Sequence, residues 1–375
     1  MRIVFLADDI DAVGGIQTAT HTLAQQLARH GHHVHLVGLY RNTAPAVIGD
    51  QPLYQRIVLN APPPHAPANT AQHCAAKQQI SQILAGAGTT YLIMSSVHVS
   101  LWMQDVDTGG CARIGQYHGS YEYARTHYHL GVIRELWPTF DASVFLSPDD
   151  VAGFTSHTGL HAVSIPNPLP DAALHKPLPT IAAAVPRVLA VGRLTQIKRF
   201  DLAIDAFAQA AVAGWQLHII GDGDHEPVLR RRISQVGSCD TDGSPAVVLR
   251  GRLPVAAMPA EYAAAQLLIV TSEHEGFGMV IAEAAAAAIP TVAFDVSGGV
   301  RSLVQHNYTG KLIPAGDLPA FATALRSLML DPPRRHELGR AARRTIHTLD
   351  VTVVADRWER VLVEAACRAR QEATR

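Results

Sequence analysis

Short apolar runs separated by polar or glycine-containing loops recur along the chain, with apolar residues at helical spacing between them. The first run, Ile3-Val4-Phe5-Leu6, has the character of a buried strand within 2–7. A loop with Gly14-Gly15 follows, then a helical pattern through Leu23 and Leu27, and after His30-Gly31 a second strand over 34–39. Strand, loop, helix, strand is a βαβ unit, which requires a parallel sheet covered by helices. More strands are expected at 91–94, 113–117 and 143–146.

Pro166, Pro168, Pro170, Pro177, Pro179 and Pro186 suit neither a helix interior nor a central strand, so 166–186 reads as a linker between domains. The pattern then restarts: strands at 188–191, 216–220, 247–249, 267–270 and 291–294, and helices over 200–211 and 279–288. The sequence therefore predicts an α/β chain with an N-terminal domain over 1–165 and a C-terminal one over 187–350. A last helix within 351–375 is too long and too late for a crossover and is expected to turn back onto the first domain. In each half, glycine-containing loops follow strands, where ligands of open parallel sheets bind.

Composition changes this picture little. Apolar residues are 48 % and charged residues 17 % of the 375, enough to bury two cores and too ordered in composition for disorder. A net charge of −1, from 31 basic and 32 acidic side chains, gives no general attraction to nucleic acid or anionic lipid, so any bound anion needs a local site. Cys74, Cys111, Cys239 and Cys367 are scattered, as reduced thiols of a cytoplasmic protein would be. Asp8 and Asp9 interrupt the first apolar run before a signal peptide could be complete, and 284–288 is far short of the roughly 20 apolar residues of a membrane span. The histidines His30, His32, His33 and His35 cluster without an Asp, Cys or spaced His beside them, so no metal site is expected there.

Candidate chemistry concentrates in the second half. Thr271-Ser272-Glu273-His274-Glu275-Gly276-Phe277-Gly278 joins a strand to a helix and presents backbone N–H groups at a positive helix end. Glu275 stands in this loop and Glu283 in the helix, offset by roughly 80° at about 100° per residue, so the two could meet different parts of one extended ligand. Taken alone, a charged helix cap satisfies the segment as well. Val191-Gly192-Arg193-Leu194-Thr195-Gln196-Ile197-Lys198 places Arg193 just past a strand and Lys198 near the next helix start. A guanidinium and an ammonium approaching from two directions suit a diphosphate, although surface charge alone also accounts for them. Gly14-Gly15 offers close backbone approach in the other half.

Together these pieces resemble the retaining glycosyltransferases of family 4. The matching residues span nearly the whole chain: Gly14-Gly15 with the helix and strand after it, His118-Gly119, Val191-Gly192-Arg193…Lys198, Gly221-Asp222-Gly223, Glu275 to Glu283 as the E-x7-E motif, and Asn307…Gly310. The resemblance implies a GT-B fold, two Rossmann-like parallel-sheet domains facing a central cleft. It implies that Arg193 and Lys198 bind the donor diphosphate, that Glu275 contacts the donor sugar, and that the Gly276-Phe277-Gly278 amides hold its hydroxyls. Glu283 would bind the ribose, Gly14 and Gly15 would lie under the phosphates, Gly221 would line the donor site, and His118 would sit where sugar meets acceptor. Two positions depart from the pattern: Ala288 where the family often has Gly, and Ser302 where it usually has Glu.

The reaction implied is retaining transfer of a hexose or N-acetylhexosamine from a nucleotide diphosphate sugar, UDP-linked rather than GDP-linked, to a sugar, lipid-linked glycan or small-molecule acceptor. Attack would come from the face the diphosphate leaves, with a donor phosphate oxygen taking the acceptor proton. No metal or other cofactor is implied, there being no D-x-D segment placed to hold one. Retaining glycosidases also use two carboxylates, but with an Arg and Lys placed for a diphosphate, Glu275 and Glu283 read as donor ligands and not as a hydrolytic pair. The implied location is the cytoplasm, with peripheral membrane contact open. The rivals are a sugar-nucleotide epimerase of similar architecture and a non-catalytic nucleotide-sugar-binding protein. An NAD-linked dehydrogenase is weaker, because no glycine loop reads G-x-G-x-x-G. The stretch 113–137, with Tyr117, Tyr121, Tyr123, Tyr128 and Trp137, offers aromatic faces for an acceptor or for ordinary packing.

Overall fold

A computed structural model describes residues 1–41, 51–63, 70–85, 90–156, 159–170, 174, 185–237 and 246–372. Cys239, Pro177 and Pro179 lie outside the described residues; Cys74, Cys111 and Cys367 are free thiols. The chain forms two compact units, Met1–Pro170 with Leu349–Arg375, and Asp171–Thr348.

In the first unit β1 (Arg2–Ala7), α1 (Gly15–Arg29) and β2 (His33–Gly38) are followed by β3 (Gln55–Val58), α2 (Thr70–Leu84), β4 (Thr90–Met94) and α3 (Val97–Trp102). Then come β5 (Ala112–Gln116), α4 (Tyr121–Ala124), α5 (His129–Leu136), β6 (Ala142–Phe145), α6 (Pro148–Thr155) and β7 (Ala162–Ser164). The seven strands are parallel in the order β3-β2-β1-β4-β5-β6-β7. Order reverses between β1 and β4. Buried on both faces, the central strands are continuous apolar runs, as Ile3-Val4-Phe5-Leu6 is.

The second unit contains β8 (Arg187–Val191), α7 (Phe200–Ala210), β9 (Gln216–Ile220), α8 (Glu226–Val236), β10 (Val247–Gly251), α9 (Met258–Ala264) and β11 (Leu267–Val270). It continues with α10 (Met279–Ala286), β12 (Thr291–Asp295), α11 (Gly298–Leu303), β13 (Gly310–Pro314), α12 (Leu318–Leu330) and α13 (Pro332–Thr345). Its six parallel strands run β10-β9-β8-β11-β12-β13, reversing between β8 and β11. The doubly wound α/β architecture expected from the pattern is present in both units. Helices α12 and α13 and strand β13 were not read from the sequence.

The last helix, α14 (Val351–Glu372), belongs to the first unit. Its buried stripe, Val354, Ala355, Trp358, Val361, Leu362 and Ala365, covers the sheet face formed by Ile3, Phe5, Ile93, Ile114 and Val144. The Trp358 ring meets Phe5 edge-on, with centroids 6.2 Å apart. Burial of an indole of this kind is worth about 3–5 kcal/mol, judged from truncations to Ala.

Candidate functional site

In the second unit the strand order reverses between β8 and β11, and the carboxyl ends at such a reversal are the usual ligand position of these sheets. The loop leaving β8 is zipped to the loop leaving β9. Gly192 N donates to Ile220 O at 3.0 Å, and Leu194 N to Asp222 O at 2.7 Å. The approach is so close that a Cβ at Gly221 would lie 1.8 Å from Gly192 O, and one at Gly223 2.3 Å from Leu194 O. Both glycines also have φ near 150°, at 150° and 156°. Gly221 is thus demanded by backbone support of the β8 loop, without any ligand contact being needed to account for it.

The supported loop leads into a fixed turn. Gln196–Lys198 makes a single 3-10 turn, and Arg199 at φ 48° redirects the chain into α7. The turn is fastened to the loop after β11: Thr271 Oγ1 donates to Arg199 O at 2.8 Å and Glu273 N to Ile197 O at 2.9 Å. Lys198 and Glu275, far apart in sequence, consequently meet. Lys198 Nζ donates to Glu275 Oε2 at 2.6 Å, and Ser272 Oγ donates to the same oxygen at 3.1 Å. Among the described residues Oε1 has no hydrogen-bond partner, leaving it able to accept from a hydroxyl. Arg193 is exposed on the β8 loop.

Gly276, Phe277 and Gly278 complete the loop. Phe277 is buried, and Gly276 O and the Phe277 Cα lie where a Cβ of Gly299 would fall, 2.1 and 2.6 Å away, so the loop rests on the start of α11. Gly278, at φ 89°, opens α10, whose first turn has no side-chain cap. Glu283 sits on α10, half-buried, and accepts a 2.7 Å hydrogen bond from Tyr262 of α9. Burial pushes the Glu283 carboxyl upward in pKa, and the Tyr262 bond opposes that shift. Glu275 and Glu283 have separate partners, one cationic and one phenolic. Tyr262 was missed in the sequence because nothing in the spacing of one apolar helix ties its hydroxyl to a glutamate on another.

The two departures have visible consequences. Ala288 takes the left-handed position, φ 57°, of a Schellman closure of α10, in which Ile289 N donates to Ala284 O at 2.9 Å and Ala288 N to Ala285 O at 2.9 Å. Ser302 turns its hydroxyl back on its own helix, donating to Gly299 O at 2.7 Å.

In the first unit Gly14 is the N-cap of α1 and Gly15 its first residue, with no side-chain cap and no acidic group in the first turn. Gly14 has φ 176°, an extended conformation open to any residue, and a Cβ there would meet only the end of the Gln17 side chain. His118 follows β5 and is 9 % exposed. Neither of its ring nitrogens finds a hydrogen-bond partner of good geometry among the described residues. Burial depresses its pKa to about 4, with the Asn167 side chain working weakly in the other direction, so the ring is neutral at physiological pH.

At the reversal between β1 and β4, Asp8 pairs with His98, a contact not read from the sequence. Burial, with Asp8 and Asp9 adding to it, raises the nearby Tyr40 hydroxyl to about 12. The 113–137 stretch divides. Trp137 and Tyr117 are buried core, and Gly119 leaves room for the Tyr117 ring, whose hydroxyl meets His129 Nδ1 at 2.8 Å. Tyr123 and His127 stack with centroids 3.8 Å apart, beside an exposed Tyr128.

Residues 179–345 match the family model described as glycosyl transferases group 1. This stretch is similar to the domain that the family shares. It includes Arg193, Lys198, Glu275 and Glu283. Over 237 residues the chain is 31 % identical to an exopolysaccharide phosphotransferase of Streptomyces coelicolor, covering 62 % of this chain and 24 % of that protein. It is 30 % identical over 167 residues to the GDP-mannose-dependent alpha-(1-6)-phosphatidylinositol monomannoside mannosyltransferase of Mycobacterium tuberculosis, 42 % of each chain. The chain thus spans less than half the length of these relatives. In fold it is similar to HepE of Anabaena, solved in complex with UDP and glucose, with TM-score 0.77 at 16 % identity over 97 % of this chain and 100 % of that one. The group 1 match and two Rossmann-like sheets together agree with the GT-B architecture expected.

Proposed function

We propose that the chain is a retaining, metal-independent glycosyltransferase that moves a hexose or N-acetylhexosamine from a UDP-linked sugar to a sugar, lipid-linked glycan or small-molecule acceptor. The observation that carries this reading is the Lys198–Glu275 pair, fastened at the strand reversal, with Arg193 exposed on the loop after β8. An ammonium has three protons, so Lys198 can keep its bond to Glu275 and still donate to a phosphate oxygen. Glu275 Oε1 then takes a sugar hydroxyl, and the amides after Gly276 take others. Glu283, set deeper and held by Tyr262, takes the ribose. With Arg193 and Lys198 neutralising the departing diphosphate, the leaving group needs little acid catalysis.

For the first unit the proposed roles are the uncapped α1 amides at Gly14-Gly15 toward the phosphates, and neutral His118 toward the sugar and acceptor. A ring with two unsatisfied buried nitrogens is suited to one hydroxyl as acceptor and another as donor. The acceptor oxygen attacks on the face the diphosphate leaves, and its proton passes to a donor phosphate oxygen. No side chain forms a covalent intermediate.

The test is incubation of the protein with UDP- and GDP-linked hexoses, with and without a panel of glycoside acceptors, following nucleotide release and sugar configuration. UDP release that rises with an acceptor and gives a product of retained anomeric configuration supports the proposal. Inversion, strict dependence on added Mg²⁺ or Mn²⁺, or a changed sugar without transfer would overturn it, the last in favour of an epimerase.

A further inference from the structure

The amino end of β2 lies at the opposite end of the first sheet from Gly14 and His118, and it carries the histidines for which the sequence offered no partners. The partners come from α14. His30 Nδ1 lies 2.7 Å, and His32 Nε2 2.8 Å, from the same oxygen, Glu359 Oε1. Asp356, one turn before Glu359, brings its carboxylate into the group: one ligand atom each of His30, Asp356 and Glu359 lie within 4.8 Å of one another.

We propose that His30, Asp356 and Glu359 bind one divalent transition-metal ion of the zinc type, which clasps α14 to the α1–β2 turn, with His32 hydrogen-bonded to Glu359 beside it. Two features carry the assignment. The turn is rigid: α1 closes in a Schellman motif, with Gly31 N donating to Ala28 O at 3.0 Å and His32 N to Leu27 O at 3.1 Å. Gly31 holds φ 84°, a conformation that lets His30 and His32 flank one carboxylate. The side chains are partly sheltered, 23 % exposed for His30, 13 % for His32 and 30 % for Glu359, so ligation costs little further ordering.

The donor set itself gives the second feature. An imidazole and two carboxylates, with the fourth position left to water, suit Zn²⁺, Co²⁺ or Ni²⁺, whereas Ca²⁺ and Mg²⁺ favour oxygen ligands alone. The 2.7 Å between His30 Nδ1 and Glu359 Oε1 needs only modest widening to admit an ion with bonds of about 2.0–2.2 Å. The Gln26 side-chain Nε2 lies 3.0 Å from His30 Nε2. Ligation through His30 Nδ1 moves the ring proton to Nε2, so binding requires the Gln26 amide to turn its oxygen toward the ring. The sequence could not offer this set, because Asp356 and Glu359 lie at the other end of the chain from His30 and His32.

Lys198, Glu275 and Glu283 belong to the other unit, so the ion would add stability to the first unit without entering the proposed donor site. The experiment uses the full chain without an affinity tag, stripped with EDTA and titrated with Zn²⁺ by calorimetry and with Co²⁺ by visible absorption. The expected result is one site per chain, with Co²⁺ ligand-field bands and a Zn²⁺-dependent rise in Tm. Glu359→Gln, which keeps hydrogen-bonding capacity toward both imidazoles, and His30→Ala should each abolish the bands and the rise in Tm. Asp356→Asn should weaken binding tenfold or more. UDP affinity should stay unchanged in all three. Absence of Co²⁺ bands in the native chain, or equal metal uptake by native chain and Glu359→Gln, would overturn the proposal.

Discussion

Both units place their loops at a strand reversal, yet they equip that position differently. In the second unit the β8 loop, the β9 loop and the loop after β11 are held to one another by backbone hydrogen bonds, and the charged groups are paired within that frame. In the first unit the corresponding end carries an uncapped helix start, a buried neutral histidine, an aspartate–histidine pair and a partly exposed aromatic stack. One arrangement fastens a lysine–glutamate pair in a backbone frame; the other sets a neutral histidine and aromatic rings at a loop end where Asp8 is paired with His98, and Asp11 with Arg41 and Arg56. That contrast accords with a diphosphate handled mainly by one unit and a more variable acceptor handled by the other.

The largest effect should come from the charged frame. Lys198→Ala or Arg193→Ala should lower sugar transfer by about 10²–10³-fold, the scale seen when a preorganised charge-stabilising donor is removed. Steady-state kinetics with a UDP-sugar measures this, and an unchanged Tm in both variants would assign the loss to the site. Near-normal transfer would remove the contrast between the units.

The first unit can be tested by pH through His118. His118 binds a proton at about 4 in the folded chain, against about 6.5 in an unfolded one, so between these values the unfolded state holds more protons. Stability should therefore be fully present above about pH 6.5 and fall by up to about 3 kcal/mol as pH drops through this window. Urea unfolding of native chain and His118→Gln across pH 4–7 checks the sign; the variant should show a shallower slope.

A smaller effect sharpens the donor side. Tyr262→Phe removes the hydroxyl that donates to Glu283 and should weaken UDP binding by about 1 kcal/mol, roughly fivefold. Without that hydroxyl Glu283 protonates more readily, so the deficit should grow as pH falls. The smallest effect is conformational: Ala288→Gly relieves a left-handed Ala and should stabilise the chain by up to about 1 kcal/mol in thermal unfolding, offset in part by glycine's entropy.

The sheets were legible because parallel strands buried on both faces are plain apolar runs. Arg193, Lys198 and Glu275 were legible as a group because each follows a strand within a loop of recognisable chemistry. Tyr262, the Asp8–His98 pair and the Asp356–Glu359 carboxylates were not, since each depends on which helix or strand lies beside which, and local periodicity is silent about that. Gly221 shows the converse: its motif suggested a ligand, while the backbone of Gly192 alone requires it. The helices α12 and α13 escaped notice for a simpler reason, lying beyond the last loop that carried recognisable chemistry.

The central claim, that Arg193, Lys198, Glu275 and Glu283 form a nucleotide-diphosphate site, is tested most directly by calorimetric titration of UDP and of UMP into the native chain and Lys198→Ala. The account predicts that UDP binds the native chain at least tenfold more tightly than UMP, and that the substitution erases this difference while leaving UMP affinity nearly unchanged. Equal affinity for UDP and UMP in the native chain, or a preference for UDP that survives loss of Lys198, would contradict it.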